Sequence, residues 1–488
     1  MELSRDIHVR HWPAQRDDPY WTRAPQRTGY WLEEVARTSS SEPTAHQLLG
    51  DHKADVVIIG GGFAGLWVAY FLAEAAPNLH VAIIEADTCG SGASGRNAGF
   101  MTGWWDELDV LTNLYGEERA IQACIAIDES IAAIGDWCMR HDVDAWYRQG
   151  EYLAVATPGQ HHLLDLPNVA TAARLGRDAS LGVINQDDLS HRIRSPLFGD
   201  AIRMPLAATI HPARLAKGLR RVVLEQGVTI YEHSPVITLR IDSRIEVVTT
   251  AGRLGAPKGV VTMGAWAGSL WPLRRLGITM ASYIVATEPV PGFLAEIGWT
   301  SSECICDLRK ALHYFRTTPD GRIIFGGGAT RAVYRNARMI ERSGAPKAPV
   351  AELRASMARF FHELTDVPFA AAWGGPVDFS PIHLPIVDTI DGDRLFFVYG
   401  FSGNGVAPSH AVAKELTKSI LNASPLSDTW MPQISTLRHR FPMDPIRSLG
   451  ARIIQEAIIR NEKRQDHGQN SIWLSKFLSL PNQLGFPF

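Results

Sequence analysis

The hydrophobic pattern changes from a continuous run to a helical repeat within ADVVIIGGGFAGLWVAYFLAEAAPNLHVAIIEAD, residues 54–87. The first apolar run, residues 56–59, is short and β-branched, as is typical of a buried parallel strand. Apolar residues then recur at helical spacing from Leu66 to Ala76, and VAIIEAD predicts a second strand. A membrane-spanning helix needs about 20 apolar residues and gains nothing from glycines packed in its middle. The pattern therefore favours strand, turn, helix and strand.

Glycines fill the turn between the first strand and the helix. Gly60, Gly62 and Gly65 fit G-x-G-x-x-G, in which the first permits a tight turn, the second admits a pyrophosphate and the third lets helix pack on strand. The helix N-terminus would present N–H groups and a positive dipole end to phosphates. Glu85 ends the second strand, twenty residues beyond Gly65, where an acid can accept hydrogen bonds from ribose hydroxyls. We predict a dinucleotide-binding unit.

Helix and strand patterns alternate through most of the remaining chain. Residues 116–141 place apolar side chains at helical intervals, which predicts a covering helix. Residues 145–215 carry turn signals and mixed periodicity, whereas residues 212–270 return to alternating helix and strand. The β-rich runs between 280 and 370 indicate an antiparallel sheet. Residues 394–421, RLFFVYGFSGNGVAPSHAVAKELTKSIL, are again strand, glycine-rich turn and helix.

These patterns predict an α/β fold with α+β elements, in which a Rossmann-like nucleotide-binding domain is interleaved with an antiparallel β-sheet substrate domain. A chain of 488 residues exceeds what one core usually supports. The expected segments are an N-terminal arm at 1–50, nucleotide-binding parts at 51–150, 206–278 and 373–424, substrate-domain parts at 151–205 and 279–372, and a C-terminal helical tail at 425–488. In the arm, TGYWLEEVA predicts one or two helical turns.

The glycine-rich turn near the C-terminus offers a second helix N-terminus. Three glycines, Gly400, Gly403 and Gly405, surround Asn404. They stand directly before the helix predicted at the end of residues 394–421. A nicotinamide-only enzyme has no obvious use for this element, but a flavin that becomes anionic on reduction would be stabilised by it. A plain buried strand–helix unit is the alternative interpretation.

Composition places the chain among large soluble enzymes. A formal net charge of −3 argues against a nucleic-acid-binding protein and does not choose a substrate. Five cysteines form no C-x-x-C pair, and their odd number suits a reducing compartment. Nothing near Cys304 and Cys306 completes four ligands, so we predict no metal site. No signal sequence opens the chain. We therefore expect a cytoplasmic protein without a transmembrane segment.

Several motifs together resemble the D-amino acid oxidase family of FAD-dependent oxidoreductases. They are GGGFAG with its Glu85, GASGRNAGF at 92–100, VTMGAW at 261–266, WGGPVDFSPIHLPIVD at 373–388 and GFSGNGVAPS at 400–409. The resemblance spans nearly the whole chain. The arm with GYWLEEV, the SGRNAGF stretch and the tail FPMDPIRSLGARIIQEAIIRNEK are most similar to γ-glutamylputrescine oxidase-like members.

The resemblance implies a set of FAD-binding positions. The pyrophosphate would lie on the first glycine turn, the adenosine ribose at Glu85, the adenine edge against the backbone of Val236, and the flavin ring by the turn at Gly403. A further segment, SGRNA, would pass beneath the ribityl chain and flavin. The implied residues are Gly60, Gly62, Phe63, Ala64, Gly65, Glu85, Ala86, Ser94, Gly95, Arg96, Asn97, Ala98, Val236, Gly264, Trp266, Gly403, Asn404, Gly405 and Val406. A fixed cation at Arg96 near phosphate or flavin would favour the bound or reduced cofactor; an exposed arginine after a turn is the alternative.

The chain departs from the family at two places. Members that oxidise free α-amino acids carry G-x-R-P, whose arginine clamps the substrate carboxylate. Here the stretch is WGGPVDFSP, with Gly375 or Pro376 at that position, so a simple α-amino acid held in the usual manner is not expected. The sarcosine oxidase branch links its flavin to a cysteine in this region, and no cysteine follows Cys306, which implies non-covalent FAD. The oxygen-activating lysine of that branch has no clear counterpart around GGGATRAVY.

The chemistry implied is hydride transfer from a carbon beside an amine nitrogen to flavin N5, followed by hydrolysis of the imine to an aldehyde or ketone. The candidates on the substrate side are His313, Tyr314 and Arg316 in LHYFR. As a strand, this stretch sends His313 and Phe315 to one face and the other two to the opposite face. Arg316 is the first candidate for binding a distal anion. Sheet packing or a surface ion pair is the alternative for each, and we interpret His211 as an N-terminal helix contact.

The sequence leaves three classes of function open. An FAD amine oxidase or dehydrogenase, using O2 or another electron acceptor, is favoured, and an α-amino acid oxidase or dehydrogenase is its variant. A flavin monooxygenase or halogenase would need NAD(P)H machinery, for which no second G-x-G-x-x-G is visible. The third is a non-catalytic FAD-binding subunit. The substrate would be a small amine such as a γ-glutamyl-polyamine, an ω-amino compound or an aminophosphonate. The oligomeric state is open, and the tail helix at 449–464 covers the protein's own body, joins subunits or touches a membrane surface.

Overall fold

The computed structural model describes residues 6–8, 29–38, 45–158, 163–270, 273–327, 331–332, 347–437 and 440–465. Its α-helices are Tyr30–Thr38, Phe63–Ala75, Leu108–Tyr115, Glu117–Arg140, Pro167–Arg174, Gln186–Ser190, Pro212–Glu225, Pro291–Glu296, Lys347–Phe360, Val406–Ile420 and Ile446–Gln465. Short 3-10 helices are Ala93–Gly95, Trp105–Glu107, Leu163–Asp165, Gly264–Ser269, Leu273–Arg275, His362–Leu364, Leu426–Asp428 and Ile434–Thr436.

The nucleotide-binding part is built on a sheet of six strands among the residues described. In spatial order the strands are Ile386–Asp391, Leu395–Tyr399, Lys258–Val261, Val56–Ile59, Val81–Ile84 and Thr229–Tyr231. All neighbours are parallel except the first pair, which is antiparallel. The pattern that predicted a buried strand followed by a helix and a second strand is confirmed.

Two cores cover the faces of this sheet because side chains alternate along each strand. Val56 and Ile58 pack into the core formed with the helices, while Val57 and Ile59 pack into a second core. The second core joins a smaller sheet, whose strands in the described chain are Asp6–His8, Thr238–Ile241, Ile245–Val248, Gly252–Ala256 and Gly50–Lys53. The predicted covering helix at 116–141 is confirmed as Glu117–Arg140.

The other large sheet has ten strands within the described ranges, and apart from one parallel pair its neighbours are antiparallel. Its strands are Phe100–Thr102, Arg148–Val155, Gly182–Ile184, Ala201–Thr209, Ile278–Thr287, Cys304–Asp307, His313–Thr317, Ile323–Gly327, Arg331–Ala332 and Phe369–Phe379. The chain therefore visits the two large sheets alternately, which confirms the interleaved fold class. The strand Phe369–Phe379 crosses the expected segment boundary at residue 373 and pairs with Ile278–Thr287.

The predicted arm and the predicted tail each contain one helix in the described chain. The arm forms the helix Tyr30–Thr38, which confirms the turns predicted from TGYWLEEVA. The tail forms Ile446–Gln465, close to the range predicted for it. Residues 1–5, 9–28 and 39–44 of the predicted arm, and residues 466–488 with the terminal WLSKFLSLPNQLGFPF, lie outside the described residues. No helix of the described chain combines the length and hydropathy that a bilayer crossing requires.

Candidate functional site

The candidate site begins at the carboxyl ends of three parallel strands. Ile59 pairs with Ile84 on one side and with Val261 on the other. The three strands therefore end side by side at the same edge of the sheet. The side-chain hydroxyl of Thr262 then donates to the carbonyl oxygen of Gly60 at 3.0 Å. Ligands of open α/β sheets bind at such carboxyl edges. This register therefore places three features at one edge of the sheet: the predicted glycine turn, the predicted acid and the chain that follows the strand Lys258–Val261.

Each motif glycine occupies a place that a side chain would obstruct. Gly60 has a positive φ of 110°, and a Cβ there would lie 2.6 Å from the carbonyl oxygen of Thr262. A Cβ on Gly65 would lie 2.0 Å from the carbonyl oxygen of Gly60, so the helix packs directly on the turn. A Cβ on Gly62 would lie 2.9 Å from Oγ of Ser94. The spacing of the motif is thus explained by three separate close approaches.

The helix Phe63–Ala75 starts without a capping side chain at Gly62 and without an acid in its first turn. Its positive dipole end is therefore not neutralised from within the helix. The backbone N–H of Phe63 donates to Oγ of Ser94 at 2.8 Å, which ties the predicted SGRNA segment to this turn. Ala64 and Gly65 are buried in the same first turn. This N-terminus has the character of an anion-binding site.

Glu85 leaves the second strand beside the glycine turn. Its carboxylate accepts hydrogen bonds from the backbone N–H groups of Gly61, at 2.7 Å, and of Asp87, at 3.0 Å. Burial raises the pKa of this carboxyl above its usual value, although both backbone hydrogen bonds oppose the shift. Each carboxylate oxygen has a further lone pair for a ribose hydroxyl. Ala86, the next residue, is exposed.

The second visit to the nucleotide sheet contributes residues around this edge. Gly264 has a positive φ of 51° and opens the 3-10 helix that carries Trp266. A Cβ on Gly92 would lie 3.2 Å from the indole of Trp266, so the loop before Ser94 runs along that ring. Val236 is half-buried and packs against the core behind the sheet. The structure thus brings Trp266 to the loop that directly precedes the SGRNA segment, whereas the prediction for Val236 depends on its backbone alone.

The third turn presents the second predicted helix N-terminus. Val406–Ile420 begins after Gly405, which supplies no side-chain cap, and its first turn has no acid. Gly403 has a positive φ of 93°, which L side chains rarely adopt. The amide nitrogen of the Asn404 side chain donates to the carbonyl oxygen of Gly103 at 3.2 Å. This contact joins the turn to the strand Phe100–Thr102 of the other large sheet.

The SGRNA segment is held by its backbone carbonyl groups. The carbonyl oxygen of Arg96 accepts from the indole of Trp373 at 2.8 Å, and that of Asn97 accepts from the indole of Trp31 at 2.9 Å. The carbonyl oxygen of Ala98 accepts from Nε of Arg316. The sequence pattern did not single out Trp31 or Trp373 for this role, because a buried tryptophan gives no signal of which carbonyl its N–H will meet.

The guanidinium of Arg96 is buried and lies along its own loop. Its Nε donates to the carbonyl oxygen of Ser91 at 2.8 Å, and Nη1 lies 3.4 Å from that of Gly374. Burial lowers the pKa of this guanidinium, and Asp87 opposes the shift. Arg96 is therefore a fixed cation beside the predicted pyrophosphate and flavin path, not an exposed arginine after a turn.

The three substrate-side candidates lie on the strand His313–Thr317, and the predicted division of its faces is confirmed. His313 packs near Phe325 and Phe360 on the outer face of the sheet, where its Nδ1 and Asp307 are 2.8 Å apart. Tyr314 and Arg316 lie on the opposite face, beside Phe100 and Ala98. The structure thus brings Arg316 to the SGRNA segment and Tyr314 to Phe100, two residues beyond it, and it separates His313 from both.

Arg316 is buried and Tyr314 is half-buried, and both are hydrogen-bonded. The hydroxyl of Tyr314 lies 2.9 Å from Oγ of Ser282, and burial raises the pKa of Tyr314 to about 12. The three guanidinium nitrogens of Arg316 donate to the carbonyl oxygens of Ala98, Thr317 and Ile210. Burial lowers the pKa of Arg316 to about 10. These contacts favour a positioning role for Arg316 over the predicted binding of a distal anion.

The interpretation of His211 as an N-terminal helix contact is confirmed. His211 caps Pro212–Glu225, where its Nδ1 accepts from the backbone N–H of Arg214 at 3.2 Å. Its Nε2 lies 3.1 Å from Glu34. All five cysteines fall within the described chain and are free, and Cys304 and Cys306 are buried in one strand. Among the residues described, no group of three His, Cys, Asp or Glu side chains is placed to hold a metal ion.

The chain belongs to the DAO family of FAD-dependent oxidoreductases, whose family model matches residues 55–419. It is 28% identical over 411 residues to a probable oxidoreductase OrdL of Rhizobium meliloti, covering 82% of this chain and 90% of that one. It is 26% identical over 363 residues to γ-glutamylputrescine oxidoreductase of Escherichia coli, covering 74% and 82%.

Solved structures share the fold at lower identity. Glycine oxidase from Geobacillus kaustophilus superposes with a TM-score of 0.61 at 19% identity, over 80% of this chain and 99% of that chain. L-Proline dehydrogenase from P. horikoshii gives a TM-score of 0.63 at 17% identity, over 77% and 95%. The family assignment makes this protein an FAD-dependent oxidoreductase. The glycine turn without room for side chains, the two helix N-termini with no acid in their first turns, and Glu85 fit that cofactor.

Proposed function

We propose that this enzyme oxidises the carbon–nitrogen bond of a primary or secondary amine whose anionic group, where it has one, lies away from the α-carboxylate position. A γ-glutamyl-linked polyamine, an ω-amino compound and an aminophosphonate belong to this class. When bound, FAD would supply the hydride acceptor for oxidation of the amine carbon, and hydrolysis of the resulting imine would give an aldehyde or ketone. The γ-glutamylputrescine oxidoreductase among the relatives supports an amine substrate.

The strand Phe369–Phe379 carries this proposal. By resemblance, the arginine that clamps an α-carboxylate would stand at Gly375 or Pro376. Gly375 pairs with Ser282, and a Cβ on Gly375 would lie 3.4 Å from Cβ of Arg96. The strand sequence FAAAWGGPVDF contains no arginine or lysine. It therefore supplies no cation for a bidentate hydrogen bond to an α-carboxylate.

Carboxyl groups near the Asn404 turn support a substrate that carries a second ammonium group. A Cβ on Gly103 would lie 2.7 Å from Oδ1 of Asp128, and the other carboxylate oxygen accepts from the indole of Trp105 at 2.7 Å. Oδ1 itself has no hydrogen-bond partner among the residues described. Burial raises the pKa of Asp128 to about 6 and that of Asp106 to about 7. A nearby ammonium group would favour their ionised forms.

The chain's own residues bind and orient more than they transfer protons. In the proposed arrangement, Gly60 to Gly65 and Glu85 hold the adenosine diphosphate half, and Arg96 offers a fixed cation to phosphate or flavin. Gly403 to Val406 would offer a positive helix end to the flavin ring. Tyr314 packs against Phe100 and lies 2.9 Å from Oγ of Ser282. Such an active site needs to exclude water and hold the amine carbon, while the amine arrives neutral.

The experiment is an amine panel scored by bleaching of the flavin absorbance under nitrogen. It contains a diamine, its γ-glutamyl derivative, the monoamine of equal carbon count, an aminophosphonate, D-alanine, glycine and proline. The proposal expects faster bleaching by amines without an α-carboxylate. Faster bleaching by the three α-amino acids contradicts it and favours the second candidate, an α-amino acid oxidase, which the glycine oxidase relative of Geobacillus kaustophilus at 26% identity supports.

Two further measurements identify the electron acceptor and distinguish an amine oxidase from a monooxygenase. Repetition in air with peroxide detection distinguishes O2 from another electron acceptor. Bleaching by NADPH without any amine would instead indicate a monooxygenase. Asp128→Asn, compared with the natural sequence, should raise KM for the diamine more than for the monoamine. Equal KM values in both proteins would show that Asp128 does not contact a second ammonium group.

A further inference from the structure

The N-terminal helix Tyr30–Thr38 contacts the SGRNA segment directly, although it precedes the residues that the family model matches. Trp31 is fully buried in it, and its indole N–H donates to the carbonyl oxygen of Asn97 at 2.9 Å. The neighbouring carbonyl groups, of Arg96 and Ala98, accept from Trp373 and Arg316. Three consecutive peptide groups are thus fixed by three elements far apart in the sequence.

Trp31 also joins the other two donors to each other. Its ring lies 6.1 Å from that of Trp373 in an edge-to-face contact, and the guanidinium carbon of Arg316 lies 5.1 Å above it. The ring of His211 packs at 4.6 Å from the same indole. Aromatic and cation–π contacts of this kind add to the hydrogen bond when they are buried. The indole is therefore the centre of the cluster that holds the segment.

A charged contact anchors the same helix to the nucleotide-binding part. Glu34 lies 3.1 Å from Nε2 of His211 and also pairs with the guanidinium of Arg214. His211 is the N-cap of Pro212–Glu225, and Arg214 lies in the first turn of the same helix. The pKa of Glu34 is lowered to about 2, first by its close contact with His211, against the opposing effect of burial. Glu34 therefore stays ionised and paired at neutral pH.

We propose that the helix Tyr30–Thr38 is a working part of the cofactor site and that Trp31 is a positioning residue, which fixes the backbone beneath the flavin through the Asn97 carbonyl group. This inference rests on the proposed location of residues 94–98 beneath the ring. A buried carbonyl group that loses its donor either stays unpaired or moves to find one. Because the chain at Asn97 is tied to Ser94, Ala93 and Gly99 by the asparagine side chain, a shift there would move the whole segment.

The test is Trp31→Phe, which removes the N–H and keeps an aromatic ring. The matched control is Trp137→Phe, because Trp137 is also buried and its indole nitrogen has no hydrogen-bond partner in the part of the chain described. FAD is removed and added back, with Kd measured by flavin fluorescence, and the visible circular dichroism of the bound flavin is recorded. We expect Trp31→Phe to weaken FAD binding about 10-fold and to change the flavin dichroism, as the loss of a buried hydrogen bond implies.

Several outcomes overturn the inference. Kd and dichroism that match those of Trp137→Phe would show that Trp31 only stabilises the fold, even if FAD-free Trp31→Phe melts at a lower temperature. If Trp31→Phe does not fold, Glu34→Gln is measured in its place, because this variant weakens the attachment of the helix and keeps the indole. An unchanged Kd for FAD and an unchanged flavin dichroism in Glu34→Gln would also contradict the proposal. Failure of the natural-sequence protein to bind FAD would instead contradict the proposed cofactor site.

Discussion

The carboxylate of Asp378 accepts a 2.7 Å hydrogen bond from the backbone N–H of Gly400, the first residue of the third glycine turn. Asp378 stands on the strand Phe369–Phe379 of the ten-stranded sheet, and Gly400 follows a strand of the nucleotide-binding sheet. The backbone carbonyl group of Asp378 also accepts from the N–H of Ser402 at 2.8 Å. One residue of the substrate part therefore shapes the turn that we assign to the flavin ring.

Asp378 should make stability depend on pH between about 4 and 6. Burial raises its pKa from 3.8 to about 6, so the folded protein holds a proton in this range that the unfolded chain has lost. The free energy of unfolding should therefore fall as pH rises from about 4 to about 6, by roughly 2 to 3 kcal/mol for this group alone. Urea unfolding of the FAD-free protein at several pH values measures this slope.

Asp378→Asn should flatten that part of the pH profile, because the amide does not titrate. Asp393→Asn, which removes an exposed carboxyl group on the turn after Ile386–Asp391, is the control and should keep the slope of the natural protein. An unchanged slope in Asp378→Asn would assign the pH dependence to another group.

Gly62→Val should give a protein that retains little FAD. The added Cβ alone would lie 2.9 Å from Oγ of Ser94, and the branched methyl groups would enter the space we assign to the pyrophosphate. Overpacking costs about 1 to 3 kcal/mol, which corresponds to a roughly 10- to 100-fold loss of affinity. Gly292→Val is the control, because nothing lies within 4 Å of a Cβ there. A full flavin content in Gly62→Val would place the pyrophosphate elsewhere.

Glu85→Arg should also purify largely without flavin. The substitution removes the acceptor for the N–H groups of Gly61 and Asp87 and puts a cation where the ribose hydroxyls need an acceptor. Glu85→Gln retains one oxygen acceptor and should lie between this variant and the natural protein. The ratio of flavin to protein after purification measures the effect, and equal ratios in all three proteins would refute the assignment of Glu85 to the ribose.

FAD should be released on denaturation without a covalent link. The positions that attach flavin in the sarcosine oxidase branch, by resemblance, are occupied here by glycine and proline on Phe369–Phe379. Precipitation with acid or heat should leave a yellow supernatant and a colourless pellet. A pellet that stays yellow after washing would show a covalent bond to some other side chain.

Arg316→Met should lower FAD affinity and thermal stability and should affect anionic and neutral amines equally. It leaves the carbonyl groups of Ala98, Thr317 and Ile210 without their donor, and each hydrogen bond to a charged group is worth about 1.5 to 3 kcal/mol. Arg253→Met, which breaks an exposed ion pair with Asp51, is the control. A KM that rises for the anionic amine alone would restore the anion-binding role predicted from the sequence.

The sequence by itself determined the nucleotide-binding unit, because that information is local. The three motif glycines, the apolar helix after them and Glu85 lie within 26 residues, from Gly60 to Glu85, and the structure keeps them as one strand, turn, helix and strand. The alternation of LHYFR likewise separated His313 and Phe315 from Tyr314 and Arg316, since side chains of a strand alternate whatever sheet it joins.

Only the tertiary structure decided which groups hold the SGRNA segment. Trp31, Trp373 and Arg316 are 66, 277 and 218 residues from the carbonyl groups that they bind. A periodic pattern shows that such side chains are buried, but it does not show which unpaired backbone group each N–H will meet, because that depends on how distant elements pack. For the same reason the sequence suggested an anion for Arg316, while packing directed its guanidinium to three carbonyl groups.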